Sequence, residues 1–242
     1  MITMKIKFSV DFDLIIKELK DFEKVKKILK YPYYFYKTFP QLENKSEKEI
    51  VKYFKENKIK IIKKLKERKI CIESVWKPVN NSFFKKITKL TDFDWKFKNY
   101  DCFLSCAWAG RYFLSEYFLS QNNVEIFAFL EDEDTVNILA EELFHLHFWY
   151  YLEKKMNTNT DFIRKKEAYE FSRRDKKLWE LSEIVAGFVL PEIGFYKNLK
   201  WFVHWWESDP KMGKLYKELK PLWKERKGFE EFLRKSIEIS GG

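Results

Sequence analysis

Val124-Glu125-Ile126-Phe127-Ala128-Phe129-Leu130, then Glu131-Asp132-Glu133-Asp134, then Thr135 onward through Ala140-Glu141-Glu142-Leu143-Phe144-His145 is the stretch on which the fold turns. Its first seven residues are mostly apolar, β-branched or aromatic, as strands prefer. The four acids that follow suit the start of a helix, where negative charge opposes the helix dipole. The apolar pattern then carries a long helix from Thr135 to about Lys155. A strand feeding directly into a helix points to a domain that mixes the two.

Outward from there, Ile70–Trp76, Tyr100–Cys106 and Tyr112–Leu119 read as further strands. Asn80-Asn81 reads as a turn and Phe83–Leu90 as a short helix, and Gly110 and Gln121-Asn122-Asn123 supply turns. Two helices are expected at about 161–174 and 176–190, the second ended by Pro191. The Trp-rich remainder, Phe195–Ile239, is expected to be helical. Toward the N-terminus, Met4–Val10 alternates like a strand and Leu14–Leu29 has helical spacing. A helix at about 47–68 opens on Ser46 and Glu49, a capping box. The expected class is α+β: a small mixed sheet packed on the helix that carries Glu141 to His145, with helical additions at both ends. Residues 1–69 form a basic, mainly helical section, and 70–242 the α+β domain with its helical tail.

Charge is uneven. Lys plus Arg is 47 and Asp plus Glu is 37, a formal +10. Between Lys45 and Lys69 there are eleven Lys or Arg against four Glu, a surplus of seven. Ile50, Phe54, Ile61 and Leu65 form an apolar stripe along the same stretch. The basic face is a solvated helix surface or a contact for a polyanion such as nucleic acid. Nothing resembles a zinc finger, an RNA-binding aromatic signature or a glycine-rich phosphate loop. Three cysteines, Cys71, Cys102 and Cys106, cannot close a disulfide framework, and their spacing fits no common zinc or redox motif. Free buried thiols and a cytoplasmic location are expected. The N-terminus lacks the apolar core of a signal peptide. The longest apolar runs, Ile184–Leu190 and Leu143–Leu152, are too short to span a bilayer.

Glu141 and His145 are four apart on the long helix. At about 100° per residue their side chains lie about 40° apart on one stripe. Glu142 lies about 60° from His145, still on that side, whereas His147 falls near the opposite side. The plain alternative is an i,i+4 helix pair between Glu141 and His145. A later helix carries Leu181-Ser182-Glu183-Ile184-Val185-Ala186-Gly187. Glu183 stands among apolar residues there, and a buried carboxylate needs a cation, either a metal or a basic side chain.

Strand, helix with a Glu-x-x-His pattern, then a helix supplying Glu, resembles the zincin metallopeptidases of the gluzincin kind over roughly Ile70–Leu190. Their His-Glu-x-x-His reads Glu-Glu-x-x-His here. The resemblance implies a peptidase in which Glu142 is the general base and His145 and Glu183 hold a divalent metal. Glu141 occupies the first ligand position, and zinc is the metal implied. Two carboxylates with one imidazole make a harder, more anionic site, which admits Mn²⁺ or Fe²⁺, or no metal at all. The chain then resembles a pseudoenzyme that binds peptides or nothing. In the family an edge strand aligns an extended peptide or protein substrate, a place that Val124–Phe129 or Tyr112–Leu119 would take. A downstream His204 would match an oxyanion stabiliser or pack among Trp201, Trp205 and Trp206. The Glu-x-x-His of di-iron bundles is a further alternative, but that pattern normally occurs twice. The metal reading requires Glu141, His145 and Glu183 to converge within about 6 Å.

Overall fold

The computed structural model describes residues 4–20, 33–106, 122–160, 173–196 and 209–241. Within them three strands form one sheet in the order β1–β2–β3: β1 (Lys5–Ser9), β2 (Asn99–Ser105) and β3 (Asn123–Phe127). Both pairings are parallel, with Phe8 opposite Cys102 and Cys102 opposite Val124. The expected mixed sheet is therefore corrected to a parallel one among the described strands. Every residue of β3 is buried, the pattern of a strand covered on both faces, as parallel sheets are. Tyr112–Leu119 lies outside the described residues.

Eight helices occur among the described residues. The first four are α1 (Phe12–Lys20), α2 (Tyr33–Thr38), α3 (Glu47–Glu56) and α4 (Lys58–Thr91). The last four are α5 (Asp132–Lys155), α6 (Arg173–Glu192), α7 (Pro210–Glu225) and α8 (Phe229–Ser240). The capping box forms as expected: the Ser46 side chain accepts from Glu49 N, and Glu49 accepts from Ser46 N. Asp209 caps α7, with Pro210 at its first position. No helix is long and apolar enough to cross a membrane among the described residues.

Residues 70–81 fold differently from the expectation. Ile70–Trp76 is not a strand, Asn80-Asn81 is not a turn, and Phe83–Leu90 is not a separate helix. All lie inside α4, which runs unbroken from Lys58 to Thr91 and crosses residues 69–70 without a boundary. The reason is a periodicity longer than a heptad. Ile61, Ile72 and Phe83 recur at eleven residues, as do Leu65, Trp76 and Ile87, and all six are buried. An 11-residue repeat is about 3.67 residues per turn, close to a straight α-helix. That stripe of six large side chains outweighs the local β-propensity of Ile70–Trp76.

The chain divides into two compact units, residues 1–80 with 97–142 and residues 81–96 with 143–242. In the first, Phe35, Phe39 and Phe54 pack ring against ring, and Phe39 meets Phe129 edge-on. Arg68 of α4 donates to the carbonyls of Ala128 and Leu130 at 2.8 and 2.9 Å and to Asp132 Oδ1 at 3.2 Å. One guanidinium thus fixes the loop that delivers β3 into α5. Cys71 is exposed, whereas Cys102 and Cys106 are buried, and all three are free thiols.

In the second unit Phe188 stacks on Tyr216 and Trp223, and Trp223 meets Phe232 edge-on. Pro191 sits in the last turn of α6 rather than after it. The chain then turns at Gly194, whose φ of 95° is costly for any residue with a Cβ.

Candidate metal centre

Two helices supply the candidate ligands. His145 of α5 and Glu183 of α6 both belong to the second unit, and His145 Nε2 lies 3.5 Å from Glu183 Oε1. Their side chains are 9% and 14% exposed, so neither group is hydrated as it would be in open water. Glu141 stands one turn earlier on the same continuous helix and is 9% exposed. One ligand atom from each of Glu141, His145 and Glu183 lies within 4.8 Å of the other two. The three groups singled out from the sequence therefore converge.

The donor set can be tested against a metal. Bonds of about 2.1 Å in tetrahedral geometry place neighbouring donors about 3.4 Å apart, near the observed 3.5 Å between His145 and Glu183. That separation is longer than an ordinary N–H···O hydrogen bond, at about 2.9 Å. Two carboxylates mostly screened from water repel one another, and a positive charge between them relieves that repulsion. A protonated His145 or a divalent cation would supply it. The set fits such a cation, with an oxygen-rich bias set by Glu141.

Glu142 is half-buried and is not one of the three converging groups. Its negative charge is felt by Glu125 of β3 and by Cys102 of β2. His147 stays away from this chemistry, as its helical position implies. It is buried against Thr91, Trp95 and Phe93. The Thr91 hydroxyl donates to Ile87 O, so His147 Nε2–H donates to the Thr91 oxygen across 2.9 Å. Burial pushes this imidazole down to about 3, and it remains neutral. His204 and the tryptophans around it lie outside the described residues.

A second buried acidic cluster lies in the first unit. Glu18 of α1 and Glu125 of β3 are 7% and 0% exposed. Ser105 Oγ donates to Glu18 Oε2 at 2.9 Å. The signal was present in the sequence: Glu18 interrupts the apolar stripe of Leu14, Ile15 and Leu19, and Glu125 interrupts an otherwise apolar strand.

No protein-family model matches the chain, and neither does any curated protein or solved structure.

Proposed function

We propose that the chain is a metal-dependent hydrolase of zincin-like design that acts on peptide bonds. The convergence of Glu141, His145 and Glu183 within 4.8 Å carries the reading. In it these three residues hold a divalent cation, zinc first and Mn²⁺ or Fe²⁺ next. The cation would supply Lewis acidity at the scissile carbonyl. Glu142, one position after Glu141, takes the proton from the attacking water and returns it to the leaving amine. The helix fixes the order of these roles: Glu141 and His145 share one stripe, and Glu142 flanks it.

The test is metal analysis of purified protein beside peptide hydrolysis. Wild type is expected to carry one divalent ion per chain. Glu183→Gln loses it, and Glu142→Gln keeps it while hydrolysis falls about 10²- to 10⁴-fold. Metal bound only after Glu141→His replacement makes the chain a pseudoenzyme instead.

A second reading has its own observation. Lys45, Lys48, Lys52, Lys55, Lys58, Lys60, Lys63, Lys64 and Lys66 are all exposed along α3 and α4 and the turn before them, a surface suited to nucleic acid.

A further inference from the structure

The Glu18–Glu125 pair has no part in the proposed hydrolysis. Two carboxylates, each more than nine-tenths buried, face one another in the first unit. Ser105 has one hydroxyl proton, and it goes to Glu18 Oε2. Among the described residues, no donor stands in good hydrogen-bond geometry to Glu18 Oε1 or to either oxygen of Glu125, although the Ser105 hydroxyl is near enough to Glu125 to favour its ionised form. Three orphaned, buried acceptors cannot persist as two ionised groups, because each lost hydrogen bond and each bare charge is costly there. One proton resolves the arrangement: a protonated Glu125 donates to Glu18, and the remaining charge is shared with the Ser105 hydroxyl.

Among the described residues, the charges acting on the pair are negative, which favours a proton over a basic side chain. Asp11, which caps α1 through Asp13 N and Leu14 N, is the negative charge acting on Glu18. Glu142 of α5 acts on Glu125 with the same sign. The neighbouring groups of β2 and the residue after it, Ser105 and the buried thiols of Cys102 and Cys106, bring no positive charge. Burial raises both carboxyls above the ordinary carboxylate range, and mutual repulsion adds to the rise at Glu125.

We propose that Glu18 and Glu125 share a single proton and that this proton fastens α1 to the sheet, so that its loss releases the helix. The folded state then binds more protons than the unfolded chain above the ordinary value of 4.5. Stability from the latch is fully present below that value and is lost as pH rises through the pair's own titration. For one linked proton, the opening equilibrium of α1 rises up to tenfold per pH unit.

Hydrogen exchange of the full-length protein between pH 5 and 9 tests this. After correction for intrinsic exchange, protection of residues 12–20 is expected to fall up to tenfold per pH unit, while residues 229–240 serve as the control. In Glu125→Gln, whose amide can still donate to Glu18, and in Glu18→Gln, the extra pH dependence disappears. Equal pH profiles for residues 12–20 and 229–240 in wild type overturn the proposal, even if neither variant folds. So does recovery of protection on adding Ca²⁺ or Mg²⁺, which would make the pair a cation site.

Discussion

At residue 141 the chain departs from the motif it resembles, and the consequences there are chemical rather than structural. Glu141 brings a carboxylate oxygen within 4.8 Å of the ligand atoms of His145 and Glu183. It supplies a formal negative charge and a hard oxygen donor where the motif has an imidazole. Glu141→His is therefore expected to raise zinc affinity at least tenfold and to narrow selectivity against Mn²⁺, as measured by competition with a chromophoric chelator. Unchanged or weaker zinc binding would show that residue 141 does not face the ion. The pairing of Glu141 with His145 was legible because helical geometry alone sets it. Glu183 was legible because a lone carboxylate among Leu181, Ile184 and Val185 needs a reason to be there. Glu18 and Glu125 obey the same logic from separate elements, one on a helix and one on a strand. Nothing local says that two such interruptions will meet.

At the scale of elements, α4 shows how a strong global pattern defeats a local one. Pro78, Asn80 and Asn81 all discourage helix, yet the buried stripe of Ile61, Leu65, Ile72, Trp76, Phe83 and Ile87 carries the helix past them. A heptad search misses that stripe because its repeat is eleven. The same helix anchors the β3–α5 loop through Arg68, which makes two bonds to carbonyls and one to Asp132. Arg68→Met keeps much of the stem but leaves those carbonyls without their donor. A loss of about 1.5–3 kcal/mol is expected in chemical denaturation. Arg68→Lys should recover only part of it, because an ammonium lacks the planar fork that reaches two carbonyls at once. Full recovery by lysine would assign the effect to charge alone.

Over the whole molecule, composition foretold the basic surface and free thiols, though Cys71 is exposed rather than buried, and it did not foretell the parallel sheet. Parallel order depends on which strands neighbour each other, and that is set by long-range packing that no short window contains. The net charge of +10 is partly gathered on α3 and α4. If that face meets nucleic acid, the logarithm of affinity should fall linearly with the logarithm of salt. Replacing Lys58, Lys63 and Lys66 by glutamate should flatten that slope. An absence of binding at low salt disposes of the second reading.

The unequal exposure of the cysteines gives the molecule a built-in clock. A thiol dye should find only Cys71 in the native protein and all three sulfurs in the denatured chain. The delay before the second and third sulfurs react measures how often β2 and the residue after it come away from their neighbours.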